Sequence, residues 1–261
     1  MKKILAMLLA LVMILSLAAC ASTPAADTPA ESTSTTETPV TETPASAEET
    51  PAADGKTYTV GVCQLVQHEA LDAATQGFVD ALTEELGGAV TIDVQNASGD
   101  SVNCGTIVNG FVSRGVDLIM ANATPALTAA VSATADIPIL GTSITAYGVA
   151  LDLDDFNGTV GGNVSGTSDL ADLQKQAQMI LDWFPETKTV GLLFCSAEPN
   201  SRYQIDEVRK ALEAQGVTCE EFAFTDSNDV SSVTQKAADF SDVVYIPTDN
   251  TAASNTEAIA N

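Results

Sequence analysis

The residues best equipped for chemistry in this chain sit in two matching stretches. Val116 to Pro125 reads Val-Asp-Leu-Ile-Met-Ala-Asn-Ala-Thr-Pro, and Asp242 to Thr251 reads Asp-Val-Val-Tyr-Ile-Pro-Thr-Asp-Asn-Thr. Each is an apolar run that breaks into small polar residues where a helix can begin, so Asp117 matches Asp242 and Thr124 matches Asp249. Thr124, with the backbone N–H groups that follow Pro125, suits a carboxylate, because a helix N-terminus offers free donors and a positive dipole end. Asp249, followed by Asn250 and Thr251, suits an ammonium group through a charge-assisted bond. A zwitterion needs both partners a few ångströms apart. Plain helix N-caps use the same residue types, so spacing alone leaves both roles open.

Further polar candidates follow other apolar runs. Gln64 and His68 come just after the first, Thr142 and Ser143 after the fourth, and Ser196, Asn200 and Ser201 after Cys195. Each is also able to cap the next helix. An aromatic ligand would want a stacking wall; Tyr147 is the first choice and Tyr203 the second. Trp183, four residues from Met179 on an amphipathic helix, reads as core. Hydrolytic chemistry is poorly served: there is no G-x-S-x-G elbow, and Gly162-Asn-Val-Ser-Gly166 has its serine one place late. With a single histidine and no paired metal ligands, no catalytic residue, metal or cofactor is expected.

Elements that would position these residues alternate along the chain. Strand Thr57 to Gln64 leads to helix Leu71 to Leu86, closed by Gly87-Gly88, then strand Val90 to Gln95 and helix Val102 to Arg114, closed by Gly115. The third strand lies within Val116 to Pro125, followed by helix Pro125 to Ala135, strand Ile137 to Gly141, and a short strand at Val149 to Leu151. Gly158 to Gly166 reads as a glycine-rich crossing. A second series follows: helix Leu170 to Phe184, strand Thr189 to Cys195, helix Ser201 to Gln215, strand Val217 to Phe224, helix Val230 to Phe240, strand Val243 to Pro247 and helix Thr251 to Asn261. Strands alternating with helices of this length argue for right-handed βαβ units and parallel sheets. Thr59-Val60-Gly61 returns as Thr189-Val190-Gly191, an offset of 130 beside the 125 of the paired stretches, which points to a duplicated α/β lobe. On that reading the second lobe stops where its next strand should begin, as in a truncated copy of a longer protein.

The N-terminus has a different character. Lys2 and Lys3 precede an apolar run to Ala19, too short to span a membrane and typical of an export leader. Leu17-Ala-Ala-Cys20 resembles the lipobox of bacterial lipoproteins, in which Cys20 would carry the lipid that anchors the chain. The Thr-, Pro- and Glu-rich stretch to Asp54 holds half of the ten prolines and lacks the apolar residues for a core, so it reads as a tether of about 30 Å. The whole chain has 35 acids and 10 bases, a net charge of −25, which argues against nucleic acid or anionic lipid as partners. Cys63, Cys104, Cys195 and Cys219 show no C-x-x-C spacing. Cys195 ends one strand and Cys219 begins the next, about 15–20 Å apart and too far to bridge. Cys63 and Cys104 both fall near the carboxyl edge of the first sheet, where they can meet as a disulfide or as buried free thiols.

The runs Val60-Gly-Val-Cys-Gln-Leu-Val-Gln-His-Glu-Ala-Leu-Asp72, Ala123-Thr-Pro125, Gly161-Gly-Asn-Val-Ser-Gly-Thr-Ser-Asp169, Cys195-Ser-Ala-Glu-Pro-Asn-Ser201 and Pro247-Thr-Asp-Asn-Thr-Ala-Ala-Ser254 resemble one family. It is the ABC-transporter substrate-binding lipoproteins associated with tryptophan and related amino acids. The resemblance implies two flavodoxin-like lobes with parallel sheets, joined by a hinge as in type I periplasmic binding proteins. It divides the chain into leader 1–19, lipidated cysteine and linker 20–55, first lobe 56–160 and an incomplete second lobe 161–261. It implies a lipid-anchored, extracytoplasmic monomer that captures an amino acid, of aromatic type, and delivers it to a membrane permease and ATPase. A ligand sensor for a receptor kinase, or less favourably an extracytoplasmic hydrolase, is the alternative.

Overall fold

The computed structural model describes residues 55–261; the leader, Cys20 and the linker up to residue 54 lie outside the described residues. Five strands form the first sheet: β1 (Tyr58–Gln64), β2 (Val90–Asn96), β3 (Leu118–Asn122), β4 (Ile139–Ile144) and β5 (Val164–Ser168), all parallel in the order β2-β1-β3-β4-β5. A second parallel sheet, β7-β6-β8, is built from β6 (Thr189–Cys195), β7 (Thr218–Phe224) and β8 (Val243–Tyr245). The helices are α1 (Glu69–Leu86), α2 (Ser101–Arg114), α3 (Thr124–Ala133), α4 (Tyr147–Ala150), α5 (Leu173–Trp183), α6 (Pro199–Glu213), α7 (Val230–Phe240), α8 (Asn250–Ser254) and α9 (Thr256–Ala260).

Central strands such as β1 and β6 are apolar on both faces because helices cover both sides of a parallel sheet. One side of the first sheet packs Cys63, Phe111, Ile119, Leu127 and Ile139, while the other packs Val60, Val62 and Met120 against Phe78 and Leu82. Gly61 is small for a steric reason: a Cβ there would stand 2.5 Å from the Phe111 ring. In the second sheet, Val190, Leu192 and Phe194 meet Ile205, Val208 and Leu212 on one side, and Leu193 and Phe224 meet Val230 and Ala252 on the other.

The duplication read from the sequence appears in the hydrogen bonds. Thr59 N–H donates to the Asp117 carboxylate at 2.8 Å, and Thr189 N–H donates to the Asp242 carboxylate at 3.0 Å. Strand orders β2-β1-β3 and β7-β6-β8 correspond element for element.

Several expectations are corrected. Val149 to Leu151 is no strand; Val149 lies in α4, whose start is set by Tyr147 packing against β4. The glycine-rich crossing ends in β5, which joins the first sheet beside β4; its polar, exposed Val-Ser-Gly-Thr-Ser carries no apolar signal of a strand. Thr142 and Ser143 lie inside β4, at a bulge between Gly141 and Ile144 where Ser143 takes φ +55°. The last helix is two short pieces broken at Asn255, whose side chain donates to Thr251 O. Trp183 is not core: it is 70% exposed. Leu173, Ala177 and Ile180 define the buried stripe of α5, and at 100° per residue Met179 and Trp183 fall about 80–120° away from it.

Candidate functional site

The carboxyl ends of the two sheets face one another. After β1 the chain reaches His68, and its Nε2 lies 3.3 Å from Asn250 Oδ1, at the start of α8 beyond β8. After β3, Pro125 borders two cavities with the segment that follows β6. One of them, of about 120 Å³, lies among Leu65, Val66 and Pro125 on one side and Cys195, Glu198 and Thr251 on the other. Among the described residues lining it, the ionisable side chains other than Cys195 are Glu198 and Asp226, both acidic.

Helix ends build the walls. Pro125 occupies the first turn of α3, where its missing N–H costs no hydrogen bond. Ala123, not Thr124, takes the cap position, with φ 88° and ψ 157°. That backbone region is nearly reserved for glycine, and holding an alanine there costs on the order of 1–3 kcal/mol. Ala123 is pinned by its N–H to Thr142 O at 3.0 Å and by Leu127 N–H to its own carbonyl at 3.1 Å. Thr124 is buried immediately after it.

Asp249 does cap α8: its carboxylate accepts Ala252 N–H at 2.8 Å and Cys195 N–H at 2.7 Å, and the Ser201 hydroxyl also donates to it. Glu198, which sequence reasoning did not single out, is buried beside it. One Glu198 oxygen accepts Thr251 N–H and Oγ1–H, both at 2.9 Å; the other accepts Asn250 N–H at 3.1 Å and Nδ2–H at 2.7 Å. Two carboxylates therefore converge on one short helix start. Burial first, and the Glu198 charge second, push the Asp249 carboxyl up to about 6 from its ordinary value of 3.8. The signal for Glu198 was present in Cys195-Ser-Ala-Glu-Pro: a proline at the first helical position puts the preceding glutamate at the cap of α6.

The other sequence candidates separate into walls and framework. His68, Asp249 and Asn250 line a cavity of about 340 Å³. Tyr147 and Tyr203 line a larger one, of about 620 Å³, with Phe156 and Leu170; the Tyr147 hydroxyl donates to Gly141 O at 3.1 Å. Ser196 is exposed, its hydroxyl on Phe224 O. Gln64 is framework: its amide donates to Val66 O and Asp72 Oδ1 and accepts from the Thr75 hydroxyl at 2.6 Å. Asn200 donates to Glu198 and to Thr248 O, while its Oδ1 is buried without a partner; Ser201 is fully buried. Thr142 and Ser143 remain in the β4 bulge beside Ala123. Among the described residues no group of three His, Cys, Asp or Glu side chains is placed to hold a metal ion, and no helix is long and apolar enough to cross a membrane.

Two parallel α/β sheets with opposed carboxyl edges and a cavity between them define a two-lobed binding protein, of the type I periplasmic binding protein fold with the second lobe partly present. The chain belongs to the ABC transporter substrate binding protein family, whose description matches residues 59–261. It is 34% identical over 212 residues to a tyrosine-binding protein of Clostridioides difficile (strain R20291), covering 79% of this chain and 60% of that relative's length. A Streptococcus pneumoniae ABC domain solved in complex with L-Trp is 35% identical, with a TM-score of 0.73 over 78% of this chain and 70% of that one. The ligand-free, open structure of a Clostridium difficile substrate-binding protein with adhesive properties is 37% identical with a TM-score of 0.52 over the same shares.

Proposed function

We propose that this chain is the extracytoplasmic, lipid-anchored receptor of an ABC importer, and that it captures an aromatic amino acid between its lobes for delivery to the permease and ATPase. The observation that carries the reading is the placing at one crevice of two helix starts, one with no acidic residue in its first turn and one flanked by buried carboxylates. The N-terminus of α3, at Thr124 and Pro125, offers N–H donors for the ligand carboxylate. Across from it, the α8 start, at Asp249, Asn250 and Thr251, is flanked by two buried carboxylates and suits an ammonium group. The absence of lysine and arginine among the residues lining the 120 Å³ cavity fits that polarity. His68 joins the two sides through Asn250. Tyr203 stands four residues, about 6 Å, beyond Pro199 on the same face of α6, and with Tyr147 it supplies the aromatic wall. The relatives described as binding tyrosine or L-Trp support the ligand class.

The test is calorimetric titration with each of the twenty amino acids, together with mass spectrometry of ligand retained through purification. Micromolar or tighter binding of an aromatic amino acid is expected; no heat with any of the twenty sinks the proposal. Glu198→Gln keeps the side-chain shape and removes the charge. It should weaken binding at least tenfold, about 1.4 kcal/mol, if the acids receive the ammonium. Unchanged affinity assigns Glu198 to framework alone.

A further inference from the structure

We propose that His68, Asn250 and Glu198 form a hydrogen-bonded latch across the crevice, in which Glu198 orients Asn250 and Asn250 in turn fixes a proton on the histidine. His68 belongs to the first lobe and Asn250, 182 residues later, to the second, and His68 Nε2 stands 3.3 Å from Asn250 Oδ1. Which of the two groups donates is decided on the far side of Asn250. Both Glu198 oxygens accept backbone N–H groups, one from Asn250 at 3.1 Å and one from Thr251 at 2.9 Å, so this carboxylate presents acceptors. The Asn250 amide therefore turns its Nδ2–H to Glu198, at 2.7 Å, and leaves its oxygen toward the histidine. An amide oxygen only accepts, so the proton between the lobes sits on His68 Nε2.

Each end of this relay is held from behind. The His68 carbonyl accepts Asp72 N–H at 2.9 Å at the start of α1, but the side chain makes no cap bond to its own helix, so the ring is left to reach across. The segment that carries it is pinned at Gln64, whose amide donates to Val66 O at 2.9 Å and to Asp72 Oδ1 at 2.6 Å. On the second lobe Glu198 is 2% exposed and also receives Asn200 Nδ2–H at 3.3 Å. With a fixed partner on either side, the His68–Asn250 bond forms at one spacing of the lobes and is lost when they part.

The location gives the latch a consequence. Glu198 and Thr251 line the 120 Å³ cavity, while His68 and Asn250 line the 340 Å³ one, so the relay runs between the two. Glu198 thereby acts as a positioning residue for a histidine that it does not touch. The inference concerns how the lobes are held together and not which solute they take, so it and the ligand reading can fail separately.

The full chain has a single histidine, so its imidazole resonances in nitrogen NMR spectra belong to His68 without further assignment. The expected result is a protonated Nε2 whose proton exchanges slowly with water and shows a nuclear Overhauser contact to the Asn250 side chain. Asn250→Ala and Glu198→Ala should both lose the slowly exchanging signal, the first by removing the acceptor and the second by releasing its orientation. Residual dipolar couplings then report how the lobes are oriented. One alignment should fit both lobes of the unaltered chain. His68→Ala should need two, and His68→Gln, whose amide can donate to Asn250, should restore one. A ring protonated at Nδ1 alone, a fast-exchanging Nε2 proton or no Overhauser contact to Asn250 overturns the proposal. Couplings unchanged in His68→Ala, or an Nε2–H signal undisturbed in Glu198→Ala, overturn it as well. The imidazole spectra use the unaltered chain, so they decide even if a variant does not fold.

Discussion

Lowering the pH from 8 to 5 should raise the stability of this fold, and Asp249 is the reason. Its carboxyl is 4% exposed and titrates near 6 because it is buried beside Glu198, even though Cys195 and Ala252 N–H groups bond to it. In the unfolded chain the same group titrates near 3.9. Between those values the folded chain holds a proton that the unfolded chain does not. Its contribution is therefore fully present below the unfolded value and is lost as pH rises through about 6. A gap of about two units at 1.36 kcal/mol each corresponds to about 3 kcal/mol below the unfolded value, of which about 1.4 kcal/mol develops between pH 8 and 5. Protonation also reduces the self-repulsion of a chain with net charge −25, which acts in the same direction. The window closes in stronger acid, where groups held low in the fold take up protons; Glu221, bonded by Arg202 and Arg209, is one. Urea unfolding at pH 8, 7, 6 and 5 measures the effect, and Asp249→Asn should flatten it. A stability that stays level or falls over that range refutes the reasoning, as does an equal rise in Asp249→Asn.

Two sterically matched glycines should respond unequally. Gly61→Ala drives a methyl into the Phe111 ring in the middle of the core and should cost about 1–3 kcal/mol, whereas Gly191→Ala comes closest to the half-buried Ser241 hydroxyl at 2.8 Å, with the Cβ atoms of Ser241 and Ala237 at 3.3 and 3.4 Å, and should cost less; thermal melts that reverse this order would contradict the packing. Trp183 is the only tryptophan in the chain and is exposed, so its fluorescence should already be that of a solvated indole and should hardly shift on unfolding. A large red shift on unfolding would mean that the α5 face is covered in solution. Trp183→Ala should change stability by less than about 0.5 kcal/mol, checked by the same urea titration.

Much of the architecture was legible because its signals are local. Apolar runs of five to seven residues marked the central strands, Gly115 marked the end of α2, and Pro125 marked the first turn of α3, whereas α6, expected from Ser201, begins two residues earlier at Pro199. The repeat was legible as well: Asp117 and Asp242 recur with Thr59 and Thr189, and each aspartate receives the N–H of its threonine. β5 escaped notice because an exposed edge strand needs backbone partners and not apolar side chains, and Val-Ser-Gly-Thr-Ser supplies only the former.

Sequence by itself determined the βαβ rhythm, the doubled lobe and the polar residues at the helix starts, since periodicity and capping act over a single turn or strand. Only the tertiary structure decided that Glu198 joins Asp249, that Gln64 and Ser201 are framework and that Trp183 faces outward. Those outcomes depend on how far one element is rotated and slid against another. Rotation and sliding are set by the fit of whole surfaces, which no short run of residues carries.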